Sequence, residues 1–218
     1  PAVEICAKLV AEDAGRFDVK TDLARTYSLV QRHEDALDLW TEIVEVLPDN
    51  LAFRTEFARA LMLVGSLDQA DAEARRILEE DPARWDVMNL RADLVEIGRP
   101  PEEAVAALRD LIADAADPDV RAQLQVRLGA RLVALNRKDA DRWPLTLALE
   151  PYAAATDARP TYVPWLNQYS QIALMAHRTE TARDVVDRIL RDLNPHNQQA
   201  LKTRFEIEMF RRDFPAAE

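Results

Sequence analysis

Apolar residues recur along this chain at steps of three and four, in stripes separated by short polar breaks. From Phe17 to Asn50 the first stripe is Leu23, Tyr27 and Val30, and the second is Ala36, Leu39, Trp40, Ile43, Val44 and Leu47. Steps of three and four line one face of a helix. The break between the stripes, Gln31-Arg32-His33-Glu34-Asp35, is polar. The stretch therefore predicts two helices joined by a tight turn. Pro48 closes it, because proline disfavours helix for the residue before it.

The pattern returns 34 residues on. Phe57, Ala58, Leu61, Ala70, Ala74, Ile77 and Pro82 stand where Leu23, Ala24, Tyr27, Ala36, Trp40, Ile43 and Pro48 stood. A fixed period of that size marks an array of stacked units. In the unit 51–84 Gly65 suits a helix C-terminus, and Ser66 or Asp68 an N-terminus. The unit 85–118 carries Ala92, the break Gly98-Arg99-Pro100-Pro101, then Ala104, Leu108 and Leu111. Pro101 suits a first turn, with Glu102 and Glu103 near the positive end of the helix dipole. The stop at Ala115-Ala116-Asp117-Pro118 comes two residues late.

The unit 119–160 departs from the pattern. Leu128, Gly129 and Leu132 fit its first helix, with Asp139 or Asp141 as a cap for the second and Pro144 in its first turn. Pro151 then falls inside the run Leu145–Ala155, so a kink or an early end is expected there. Trp143, Tyr152, Tyr162, Trp165 and Tyr169 gather in this region. They read as the packing of an irregular junction, with a binding surface as the alternative. Order returns in 161–197, and 198–218 opens another unit with Leu201, Phe205 and Met209. Residues 1–16 read as the second helix of a unit, with Cys6 in a core slot. An array that begins and ends within a unit leads us to expect a segment of a longer solenoid, whose exposed ends allow self-association.

With this spacing the chain resembles the tetratricopeptide repeat family. The resemblance implies an all-α fold: a right-handed α-solenoid of stacked antiparallel helix pairs, one such domain over 1–218. It also implies that Ala24, Ala58 and Ala92, and likewise Ala36, Ala70 and Ala104, lie where paired helices approach most closely. The first helix of each unit would line a concave face. The binding residues implied there are Thr21 and Arg25 in the first unit, Thr55, Arg59 and Met62 in the second, Asn89 and Asp93 in the third, and Asn167 and Gln171 in the fifth. Arg25 and Arg59 share one slot a repeat apart, so they are expected to be neighbours able to take a carboxylate or an acidic peptide. Asp86, Asp93 and Glu96 would present an acidic stretch beside them. Family members that bind chaperone tails use lysine and asparagine on their first helices; threonine and arginine at these slots set this chain apart from them.

Composition narrows the partners. Among 218 residues, 28 Lys and Arg face 39 Asp and Glu, a formal charge of −11. That balance argues against nucleic acid, whose phosphates need a basic face. No run approaches the ~20 apolar residues of a membrane span, and the N-terminus shows no signal-peptide pattern. The single Cys6 excludes an internal disulfide and leaves the compartment open, cytoplasm favoured and periplasm allowed.

Chemistry finds little material. His33, His177 and His196 stand in separate breaks without a second ligand at metal spacing. Four glycines leave no phosphate loop. No cofactor and no enzymatic role are expected. The function expected is a protein-interaction scaffold that binds a peptide or protein partner on its concave face. The alternative is a non-catalytic arm of a larger enzyme, or of a secretion or polysaccharide-assembly protein.

Overall fold

The computed structural model describes residue 8 and residues 16–213, with side chains to residue 209. The helix expected within 1–16, with Cys6, and the turn after Asp213 lie outside the described residues. The described residues form eleven α-helices and no strand. In chain order they are α1 (Phe17–Leu29), α2 (His33–Val46), α3 (Leu51–Leu63), α4 (Leu67–Glu80), α5 (Trp85–Glu96), α6 (Pro101–Asp114), α7 (Pro118–Asn136), α8 (Leu149–Ala158), α9 (Val163–Met175), α10 (Thr179–Arg188) and α11 (Gln198–Asp213).

Three of the turns within pairs, α1–α2, α3–α4 and α9–α10, share one backbone design. The helix ends in a residue of positive φ: Gln31 at 62°, Gly65 at 86° and His177 at 57°. The next amide bonds back across the turn, from Arg32 to the Tyr27 carbonyl (2.9 Å), Ser66 to Leu61 (2.9 Å) and Arg178 to Ala173 (2.8 Å). This left-handed cap satisfies carbonyls that a helix end would otherwise orphan. Glycine supplies it without strain, whereas Gln31 and His177 adopt it at a cost. Entry to helices is fixed by Asn50, Asp117 and Asn197, whose side chains accept from Ala52 and Phe53, from Val120, and from Ala200. Ser66 stands at the α4 N-cap without a side-chain bond. Pro101 and Pro118 each open a helix, where no amide bond is lost.

The chain divides into two compact units, residues 1–97 and 98–218. In the first, α1 to α4 each pack on the next helix in sequence, and α3 also meets α5. Ala24, Ala36, Ala58, Ala70 and Ala92 are fully buried, as the small slots require. Around them pack Trp40, Ile43, Ile77 and Val87; burying a side chain of this kind stabilises by about 1.5–3 kcal/mol. Cations on the first helices reach acids on the second: Lys20 to Glu42 (2.7 Å), Arg54 to Glu73 (2.6 Å) and Glu80 (2.6 Å), and Arg91 to Asp71 (2.8 Å). Arg91 occupies the slot held by Leu23 and Phe57, so an ion pair replaces an apolar contact there.

In the second unit α7 packs on α6 and α8, and α9 on α8, α10 and α11. The 145–155 run forms a 3-10 turn (Leu145–Ala148) that passes into α8. Pro151 is the third residue of α8 and is buried. Its missing amide falls in the first turn, where none is needed. The helix therefore runs on to Ala158, which corrects the expected early end. Asp139 accepts from the Arg142 amide and so shapes the loop, not a helix start. The Tyr152 ring is buried against Gly129, the small slot of α7. Trp165 is buried under Tyr162 (ring centroids 4.9 Å, edge-on) and Arg159, so Tyr152 and Trp165 serve internal packing, while Tyr162 is exposed and Trp143 and Tyr169 are half-buried. After α10 the backbone widens into a π turn (Ile189–Leu193) that ends at Asn194.

Candidate functional site

The first helices of the N-terminal unit present one repeating surface. Arg25 on α1, Arg59 on α3 and Asp93 on α5 occupy one slot, each a period apart. Four residues on stand Leu29 and Leu63, beside the arginines on the same helix face, and Ile97, which follows the end of α5 with an extended backbone. All three are exposed, at 84%, 46% and 43%. α1 and α3 thus each offer an arginine and an apolar group side by side, whereas α5 carries Asp93 at that slot.

The arginines differ in their neighbours. Arg25 is exposed and lies 3.8 Å from Asp22, a contact open to solvent and worth little. Arg59 is exposed and forms no ion pair among the described residues. It lies near Asp86. The Asp86 carboxyl is held below its usual range by its bond from Arg84 (2.7 Å), against the effect of burial, and the Arg59 charge adds to the lowering. Arg16 and Asp18 repeat the Arg84–Asp86 pair at the start of α1, also at 2.7 Å. Asn89, Asp93 and Glu96 are half-buried and engaged with neighbours.

Thr21 and Thr55 are not on this surface. Both are buried, and their hydroxyls donate to the carbonyls of Asp18 (2.8 Å) and Leu51 (2.7 Å). A threonine that bonds its own preceding turn can face the packed side of a helix, which corrects the expectation that they point outward. Met62 is half-buried and packs against the cluster of Ala58, Leu61, Ala70 and Ile77. In the second unit Asn167 and Gln171 are half-buried on α9, and the Asn167 Oδ1 is buried without a hydrogen-bond partner.

A cleft of about 330 Å³ opens beside Leu63 and Val64, walled by the α1–α2 turn with Gln31, Arg32 and His33. Arg32 is already engaged: it grips Asp35 with two bonds (2.7 and 2.8 Å) and stacks on Tyr27, 4.4 Å from the ring centre. Among the described residues no three His, Cys, Asp or Glu side chains gather as metal ligands, and no helix is long and apolar enough to cross a membrane.

The exposed apolar slot is what sequence reasoning missed. The 34-residue offset linking Leu29, Leu63 and Ile97 was present, but a leucine at a helix end reads as core until its exposure is seen.

No family model matches the chain, and no curated protein matches it. Solved structures that resemble it include YrrB, described as a TPR protein with an unusual peptide-binding site. YrrB is 17% identical, the match covers 93% of this chain and 99% of that one, and the TM-score is 0.45. MamA is 12% identical over 92% and 96%, at a TM-score of 0.43. PilF of Pseudomonas aeruginosa is 16% identical over 92% of each, at 0.47. At such scores these likenesses add nothing to the tetratricopeptide-like helix pairs that the chain itself displays.

Proposed function

We propose that this chain is a protein-interaction scaffold whose N-terminal unit holds a peptide or protein partner on the face formed by α1, α3 and α5. The observation that carries this is Arg59. It is an exposed guanidinium with no ion pair among the described residues, in the slot that Arg25 fills one period earlier. A guanidinium that makes no direct ion pair, with the nearby Asp86 already bonded to Arg84, is ready to take a carboxylate in a forked, two-bond contact. The other long cations of this unit are occupied: Lys20, Arg54, Arg84 and Arg91 each hold an acid of the same chain. The rigid packing beneath, of small buried alanines and fully buried isoleucines, keeps the face preformed, which lowers the entropic cost of binding.

The test is capture from cell lysate with the wild-type chain and the Arg25→Glu, Arg59→Glu double variant side by side. Both substitutions are on the surface, so the fold should survive them. A protein held by the wild type and released by the variant supports this reading. Equal capture by both would make the arginines mere surface.

A further inference from the structure

We propose that α11 is a contact surface for a second copy of this chain, joined antiparallel through Leu201, Phe205 and Met209. This surface belongs to the second unit and owes nothing to the α1, α3 and α5 face. α11 packs on α9 and α10, and Ala200, Thr203 and Ile207 are the residues it buries. At about 100° per residue, Leu201, Phe205 and Met209 form one stripe on the opposite side of the helix. They are exposed at 46%, 65% and 42%.

The size of Phe205 sets this stripe apart from the helix pairing elsewhere in the chain. Ala24, Ala58, Ala92 and Ser170 each stand eight residues after the residue that precedes their helix, and all four are fully buried. Phe205 stands eight residues after Asn197, in the same slot. A phenylalanine there is too large for the close approach that the small residues allow. It suits a partner helix held at wider spacing.

Charge selects the partner. Lys202 and Glu206 flank one edge of the stripe, and Arg204 and Glu208 the other. Each edge therefore carries its cation toward the N-terminus and its acid toward the C-terminus. Two copies of α11 laid face to face and antiparallel, about a two-fold axis at Phe205, bring Lys202 beside the partner's Glu206 and Arg204 beside the partner's Glu208. Leu201 then meets the partner's Met209. Such self-complementarity is what a two-fold interface requires. A parallel pairing would set cation against cation and acid against acid, which opposes binding. Within one chain the cations are loosely held. Lys202 lies 3.9 Å from Glu206 and Arg204 3.6 Å from Asp187, with the cation side chains 67% and 55% exposed, and contacts of that kind are worth little. The four flanking charges cancel, so two chains of −11 can meet here without local repulsion. Their distant charge is screened beyond about 8 Å at physiological salt.

The experiment is sedimentation equilibrium of the 218-residue chain up to about 0.5 mM, followed by disulfide trapping. A single helix pair buries little surface, so the dimer should be weak and depend on concentration. Phe205→Asp should weaken it by about tenfold or more. Lys202→Glu with Arg204→Glu, which makes both edges wholly acidic, should do the same. Arg25→Glu with Arg59→Glu should leave it unchanged. Circular dichroism checks that each variant stays helical, and the charge variant decides if Phe205→Asp does not. For orientation, Leu201→Cys and Met209→Cys are made separately in a Cys6→Ser background. These positions lie about 12 Å apart along the helix. The antiparallel dimer predicts a disulfide in the mixture of the two and none in either alone. A chain that is monomeric at every concentration, a dimer indifferent to Phe205→Asp and to the charge variant, or a disulfide in either cysteine variant alone would overturn the proposal.

Discussion

The ring of Tyr152 lies so close to Gly129 that a Cβ added to the glycine would sit 2.6 Å from Cε2 and 2.7 Å from Cδ2 of the ring. The glycine is a spacing device between α7 and α8, in the slot that Ala24, Ala58 and Ala92 fill elsewhere. Tyr152 is buried, so its ring has no solvent to move into. Gly129→Ala should lower stability by about 1–3 kcal/mol through overpacking. In a Tyr152→Ala background the same change should cost much less. A double-mutant cycle by chemical denaturation reads this, and equal costs in both backgrounds would break the argument.

The turns give a prediction of opposite sign. Gln31 and Gly65 occupy equivalent turn positions, both at positive φ, but only Gly65 adopts it freely. Gln31→Gly should raise stability by about 1 kcal/mol, and Gly65→Ala should lower it by about 1 kcal/mol. Space around Gly65 is open, so its penalty would come from the backbone alone. Thermal melts of the two variants, expected to shift in opposite directions, check this.

How much of this could be read from the residues follows from what each one has to do. The 34-residue recurrence of Ala24, Ala58 and Ala92 is legible because close helix approach admits few side chains. Pro101 and the glycine break are legible because both restrict the backbone. Thr21 and Thr55 misled because a hydroxyl that bonds its own turn behaves as a core residue. Pro151 misled because its effect depends on where α8 starts, and a 3-10 turn moves that start by four residues. Arg91 stands in an apolar slot and makes sense only once Asp71 is seen opposite it, since ion pairs between helices leave no trace in spacing.

Arg54 and Glu73 form such a pair, with side chains only 11% and 10% exposed. Arg54→Met would leave Glu73 without its nearly buried partner, and about 3 kcal/mol of stability should be lost. Adding Glu73→Leu should restore most of it, because Met88 already fills the Arg54 slot one period later. If the double variant were as unstable as the single one, uncompensated charge would not be the cause.

Asp71 makes stability depend on acid. Burial pushes its carboxyl up, but the bonds from Arg91 and Arg75 outweigh this and hold it below the ordinary value of 3.8. A carboxylate with a lowered folded-state pKa stabilises above its unfolded pKa, and loses that contribution as pH falls through the folded value. Melting temperature should therefore fall below about pH 4, and Asp71→Asn should flatten that acid limb while lowering stability at neutral pH. Parallel acid limbs for variant and wild type would remove Asp71 from the account.

The most direct test of the central claim is site-specific photocrosslinking in cell lysate. A benzoylphenylalanine at position 63, on the α3 end of the face, is compared with one at position 38, exposed on α2. The account predicts a discrete adduct from position 63 that Arg25→Glu, Arg59→Glu abolishes, and none from position 38. Adducts from position 38 alone, or an unchanged adduct from position 63 in the arginine variant, would contradict it.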